Sequence, residues 1–347
     1  MEEKFYWLGF SSFPTIGPAR FKKLLAEFKT AKAAWEVKKP DFSIENYFKK
    51  LKEKDVWYLT LLDKDYPQLL KEIKNPPFVL YGCGNPSALD VRSGPPVAVV
   101  GARRTTQYGR EVTKLLTTDL VLAGFTIVSG LALGVDAISH MTALENNGKT
   151  IAVLGCGVDC CNPKENQSIY NSIVQKGCVV SEFPLGMKPT QWTFPARNRI
   201  IAGLSQAVLV TEGAEDSGSL ITAELALKFG RKVFAVPGPI TSSMSKGPYK
   251  LIAKGAKLVT SGEDILKELK SKIRNSKSQI NSKSKITSRK GDTEEENLIL
   301  KLLENEPLHF DEIVRRTKFN SSQLSSILSM MEIKGLIKSL DGGTFSI

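Results

Sequence analysis

An open α/β sheet, mostly parallel and covered by helices on both faces, is the fold class this 347-residue sequence predicts for its central part. Two observations carry that expectation. From Pro96 onward, short β-branched runs alternate with amphipathic stretches, and each run breaks at a turn containing Gly or Ser. The runs are also continuously apolar, as parallel strands buried on both faces are. Such alternation gives a doubly wound sheet with right-handed crossovers, whose ligands bind beyond the carboxyl ends of the strands. With 41% hydrophobic and 24% charged residues, the chain has material for a packed core, which excludes a disordered or low-complexity chain.

The elements follow in order. Residues 1–59 read as a small helical domain. Within it Phe13-Pro14-Thr15-Ile16-Gly17-Pro18-Ala19-Arg20 precedes an amphipathic stretch over 21–28. This pattern fits a degenerate helix-hairpin-helix, whose Gly turn faces a DNA backbone, and it fits a helical packing module equally well. The core is expected over 60–269. Its strands are predicted at 97–100, 125–129, 150–154, 179–183, 207–211, 232–236 and 257–260, with helices at 108–123, 135–146, 166–175 and 220–229. Residues 270–292 carry eight Lys and Arg against one Asp, so +7 of the net +12 lies in one Ser/Asn/Lys-rich stretch. That composition predicts a flexible linker, either simply solvated or loosely holding phosphate. Over 293–347, helices at 294–303, 310–316 and 322–334 precede a hairpin over 336–347, the order of a winged helix. Its net charge of −3, from six Lys and Arg against nine Asp and Glu, favours a protein contact or regulation over DNA binding.

Several function classes drop out. The first strand is followed by G-A-R-R-T-T rather than G-x-G-x-x-G, and no acidic residue ends the second strand, so a nicotinamide or flavin enzyme is not expected. No G-x-x-x-x-G-K-[ST] occurs, which disfavours a nucleotide-driven motor. Five cysteines are an odd and sparse set, and the N-terminus lacks a signal-peptide pattern. No apolar run reaches the length of a membrane span. A reduced, cytoplasmic protein is the economical reading. Packing accounts for His140 and His309, and Cys156, Cys160 and Cys161 do not make a zinc set, so no metal, cofactor or catalytic residue is expected.

What the strand ends do carry suits a phosphate-bearing ligand. Gly101, Ala102, Arg103 and Arg104 follow the first strand, and Ser217, Gly218 and Ser219 open a later helix. Glycine lets backbone approach an anion, and a helix N-terminus offers free N–H groups and a positive dipole end. Arg197, Asn198 and Arg199 follow a Pro-bounded loop. One of these arginines is expected to reach phosphate as a planar fork, and the other to brace the loop against Glu182 or Glu212.

At these residues the chain closely resembles the DNA-processing protein A family (DprA, also called Smf). The matching strings are VAVVGARRTT, VSGLALGVDAISH, the Asn162–Asn166 loop, SEFPLG, FPARNRIIAGLS and SGSLITAELALKFGRKVFAVPG, covering roughly residues 60–269. The resemblance implies an extended Rossmann-like core that binds single-stranded DNA without catalysis. It also implies a homodimer formed through the core, and a mediator that protects incoming single strands in natural transformation and loads the RecA recombinase onto them. Carried over by position, the family's phosphate-holding turn falls on Gly101, Ala102 and Arg103, its lysine loop on Lys164, and its Arg-Asn-Arg element on Arg197, Asn198 and Arg199. Two strings depart from the family: Asn162-Pro163 stands where Tyr-Pro is frequent, and Gly247-Pro248-Tyr249 where Gly-Thr-Asn is. The alternative is a lysine-decarboxylase-like phosphoribohydrolase acting on nucleoside monophosphates. That fold places a glutamate beside the phosphate loop, for which Glu224 is the candidate here.

Overall fold

Alternate side chains of the strand Pro96–Val100 enter two separate apolar layers, and all five are buried. Val97 and Val99 face one layer, Ala98 and Val100 the other, so this strand must lie inside a sheet covered on both sides. The computed structural model describes residues 3–273, 291–303, 307–317, 319–340 and 343–346. Most of the expected linker, residues 274–290, lies outside the described residues. The chain divides into two units, Met1–Ser276 and Lys277–Ile347.

The first unit opens with four helices, α1 (Glu3–Ser11), α2 (Pro18–Phe28), α3 (Ala31–Lys38) and α4 (Ile44–Glu53). There follow β1 (Trp57–Thr60), α5 (Gln68–Lys71), β2 (Val79–Gly84), β3 (Pro96–Val100), α6 (Gln107–Leu122), β4 (Thr126–Ser129), α7 (Val135–Glu145) and β5 (Thr150–Val153). The unit closes with α8 (Gln167–Lys176), β6 (Cys178–Ser181), α9 (Thr193–Leu204), β7 (Ala207–Val210), α10 (Gly218–Lys228), β8 (Lys232–Ala235), α11 (Lys246–Ala253), β9 (Lys257–Leu258) and α12 (Gly262–Ile273). The nine strands are ordered β1-β2-β6-β5-β4-β3-β7-β8-β9, with β6 through β9 parallel. The doubly wound sheet is therefore present. Side chains of α5, α9 and α10 meet one face, and those of α6, α7 and α12 the other.

All seven expected core strands occur, with shifted ends. The run expected at 257–260 shortens to two residues because the amides of Thr260 and Ser261 bind the Asp264 carboxylate at 3.0 and 3.1 Å and start α12 instead. The run at 179–183 begins at Cys178 and ends at Ser181, whose Oγ accepts the Phe183 amide and turns the chain away. Two strands were not foreseen. β1 and β2 pair antiparallel with each other, and β2 pairs antiparallel with β6. β1 starts at Trp57, so the sheet begins before residue 60. The N-terminal helices also share their core with the sheet: Phe21 stacks on Phe78 at 4.0 Å, and Trp7, Phe10 and Tyr47 join Val79 and Tyr81 of β2.

The second unit holds α13 (Glu294–Leu303), β10 (Leu308–His309), α14 (Phe310–Thr317), α15 (Ser321–Ile333), β11 (Lys338–Leu340) and β12 (Thr344–Ser346). Its three-stranded sheet is ordered β10-β12-β11, and Ile299, Leu303, Ile313, Leu324, Leu328 and Met331 fill its core. This is the winged-helix order, with an added short strand before α14. Among the described residues, no helix is long and apolar enough to cross a membrane.

Candidate nucleic-acid interface

From β3 the chain winds outward through β4, β5 and β6, then returns to place β7 on the other side of β3. Strand order reverses between β3 and β7, and in open α/β sheets that reversal opens a crevice at the carboxyl ends. A cavity of about 540 Å³ lies there, lined by Gly101–Arg104 after β3, by the start of α9 and by Ser217–Ser219 at the start of α10.

The loop after β3 is held from below. Thr106 caps α6, accepting the Gly109 amide at 3.1 Å, while its own amide and hydroxyl donate to the Glu212 carboxylate at 2.9 and 2.6 Å. Arg103 and Arg104 are left on the surface, and the Arg103 guanidinium lies 5.4 Å from the centroid of the Phe194 ring. One expectation is corrected here. The Ala102 amide does not face a ligand, because it donates to the Glu212 carbonyl at 2.8 Å.

The loop after β4 crosses directly over the first. Gly134 has φ +75°, and a Cβ there would lie 2.2 Å from the Ala102 carbonyl oxygen, so only glycine permits the crossing. The same carbonyl accepts the Val135 amide at 3.1 Å. The buried Asp136 carboxylate accepts the Gly130 and Ala132 amides at 3.1 and 3.4 Å. Burial pushes this carboxyl above its ordinary range, opposed by the charge of Arg197 and by those amides.

Three consecutive residues of α9 go three ways, as steps of about 100° around a helix require. Arg197 turns inward and is 4% exposed, donating Nη1 to the Val153 carbonyl at 3.0 Å, while its Nε has no partner among the described residues. It lies so close to Gly130 that a Cβ on that glycine would be 1.4 Å from Nη1. Asn198 reaches α10, its Nδ2 donating to the Gly218 carbonyl at 3.2 Å. Arg199 turns away from the cavity and pairs with Glu182, so Arg199 is the brace and Glu182 its partner. Burial raises the Glu182 carboxyl against the pull of that guanidinium.

The α10 start completes the rim. The Ser217 hydroxyl caps the helix by accepting from the Ser219 amide at 3.4 Å, and lies 2.8 Å from the Ser219 hydroxyl. Gly101, Ala102, Arg103, Arg197, Asn198, Ser217, Gly218 and Ser219 thus share one cavity. Lys164 does not line it. That residue is exposed in a short turn whose Asn166 binds the Leu131 and Ala132 carbonyls at 2.9 and 3.1 Å, steadying the second loop. Gln191 and Phe194 line the cavity and were not singled out from the sequence. An aromatic residue just before Pro195, three residues ahead of Arg197, was the available signal.

Residues 57–270 match the family described as DNA recombination-mediator protein A, and residues 285–343 match the DprA winged helix domain. The chain belongs to the DprA family. It is 35% identical to Protein Smf of Synechocystis sp. over 98% of both chains, and 47% identical to DNA processing protein DprA of Streptococcus pneumoniae over 60% of this chain and 73% of that one. The X-ray structure of DprA from Streptococcus pneumoniae superposes with a TM-score of 0.67 at 37% identity, covering 77% of this chain and 97% of that one. The structure of DNA processing protein A from Helicobacter pylori, described as revealing its single-stranded DNA binding mode, gives 0.56 at 33% identity over 62% and 96%. Membership in the DprA family gives this chain a role in DNA processing and recombination mediation.

Proposed function

We propose that this protein binds single-stranded DNA through the β3–β7 cavity and acts as a mediator that loads the RecA recombinase, without chemistry on its ligand. The convergence of Arg103, Arg197, Asn198 and the α10 N-terminus on the switch point carries this reading. Arg103 supplies a guanidinium fork beside the Phe194 ring, and the α10 start supplies oriented amides and hydroxyls. These groups suit a phosphate and a neighbouring base, and none is a base-reading helix, so sequence preference is weak. The Helicobacter pylori relative, described by its DNA binding mode, supports the same ligand. The reading includes a cytoplasmic homodimer formed through the core, protecting incoming strands in natural transformation. An open sheet edge at β9, where Leu258 is exposed, is compatible with such pairing.

The phosphoribohydrolase reading is weakened by one observation. Glu224 does not line the cavity; it pairs with Lys254 at 2.6 Å on the outer side of α10. Gel-shift competition tests the proposal: single-stranded DNA of unrelated sequences competes equally, and duplex DNA competes poorly. A preference for one duplex sequence, or release of free base from a nucleoside monophosphate, refutes it. RecA filament assembly on coated single strands tests the loading step, and light scattering tests the dimer.

A further inference from the structure

The start of α9 is a wall between two cavities. Gln191, Phe194 and Asn198 face the interface described above, whereas Trp192 and Arg199 face a second cavity of about 380 Å³. The opposite wall of that cavity is the turn between α1 and α2, including Phe13 and Gly17, with Arg20 from the first turn of α2. Its surface is mainly ring and aliphatic carbon, with two guanidinium groups. Arg199 gives one nitrogen to Glu182, and its Nη1 is buried with no hydrogen-bond partner among the described residues. The Arg20 Nη1 donates to the Thr15 carbonyl at 3.0 Å at the exposed mouth.

Trp192 is the unusual member. It is 53% exposed, although Trp7 is buried and Trp35 and Trp57 are half-buried. Phe183 packs against it with ring centroids 5.6 Å apart and planes at 81°, so the indole is supported while about half of the residue stays exposed. An exposed, supported aromatic ring beside cations is what a single strand recognises, with its bases stacking and its phosphates meeting charge. Only the first turn of α9 separates this face from Phe194 and Arg103.

We propose that the cavity between the α1–α2 turn and the α9 start is a second subsite for the same DNA strand. A base stacks on Trp192, and the adjoining phosphate meets Arg20. The proposal rests on single-strand binding at the first cavity, and it gives the N-terminal helices a direct part in holding DNA.

Fluorescence anisotropy of the full chain with oligothymidylates of about 5 and about 20 nucleotides tests it, lengths spanning the usual reach of a single-strand site. Trp192→Ala and Arg20→Ala are expected to weaken the long strand about tenfold and the short strand less than about twofold, with Trp192→Phe close to wild type. The long strand also quenches tryptophan fluorescence in the wild type and not in Trp192→Phe, a readout that does not depend on the alanine variant folding. If Trp192→Ala binds the long strand as tightly as wild type, or loses equally on both lengths, the second subsite is overturned. Arg103→Ala separates this from failure of the first reading, since it weakens both lengths when the first cavity binds DNA and neither when it does not. Unchanged DNA binding with a protein ligand displaced from Trp192 would assign the cavity to a protein partner and overturn the proposal.

Discussion

In the proposed site Arg103 is a held side chain rather than a diffuse charge, because the Ala102–Glu212 bond fixes the adjoining backbone and its guanidinium lies beside Phe194. Arg103→Ala is expected to weaken single-strand binding by about 1.5–3 kcal/mol, roughly ten- to a hundredfold. Lys49→Ala, which removes an exposed charge from α4, is expected to change it by less than about 1 kcal/mol. Equal losses in anisotropy titrations would mean that no built site exists. Arg103 was legible in the sequence because it follows a glycine at a strand end. Arg197 and Arg199 could not be told apart, because the rotation of α9 against the sheet decides which is buried, and no local pattern encodes that rotation. Beneath Arg197, His140 is fully enclosed. Thr150 gives its hydroxyl proton to the Ile127 carbonyl at 3.0 Å, so the His140 Nδ1–H donates to Thr150 at 2.7 Å. Burial and the charge of Arg197 hold this imidazole down at about 3. Between about pH 6.5 and 3 the unfolded chain therefore binds a proton that the folded chain refuses, and stability falls on acidification by up to about 1.4 kcal/mol per pH unit from this group. Asp136 and Glu182, whose carboxyls are raised by burial, act in the opposite sense above the ordinary carboxylate range. The difference between wild type and His140→Asn in denaturant titrations isolates the histidine: the variant loses stability less steeply as pH falls.

Among the elements, the α10 N-terminus offers the sharpest separation of fold from function. A Cβ on Gly218 would meet nothing within 4 Å, so the protein itself does not require glycine there. Gly218→Ala is expected to leave stability unchanged or raise it by up to about 1 kcal/mol, while weakening single-strand binding by crowding the cavity. Unaltered binding in this variant would place the DNA away from α10. The parallel strands other than the two-residue β9 were readable because each is a short, mostly apolar run followed by a helix. β1 and β2 lack that signature. They are antiparallel neighbours with no crossover helix, β1 keeps three half-buried side chains, and β2 contains two glycines. Their pairing is fixed by contacts distant in sequence, such as Trp57 opposite Gly82, which periodicity does not reveal. The helices of the winged unit were legible from amphipathic spacing alone, whereas β10 is only two residues long and exists through its pairing with β12.

At the scale of the whole molecule, the groups proposed to face DNA lie in the first unit. In the second, the exposed residues of α15 include Ser322, Gln323, Ser326, Met330 and Ile333 and no cation. Arg315 and Arg316 on α14 both pair with Glu312, and Lys334 pairs with Asp292 and Glu296. A winged helix that holds DNA places cations on its groove-facing helix, which this one lacks. A chain ending at Ile273 is therefore expected to keep single-strand affinity within about fivefold, the loss coming from the basic stretch beyond it. Residues 291–347 alone are expected not to shift single-stranded DNA. Strong binding by that fragment would move the DNA-binding function to the C-terminal unit.

The crossing of the two loops at Gly134 has a consequence for motion. Surface loops ordinarily open far more easily than the strands they join. Here the Val135 amide is bound to Ala102 and the Ala102 amide to Glu212, so either can be released only by parting loops anchored to three different strands. Their hydrogens should exchange with deuterium as slowly as those of β3 and β4, and DNA should add little protection. On the proposed reading the rim has its bound shape before a strand arrives, so association orders the strand and the exposed Arg104 side chain.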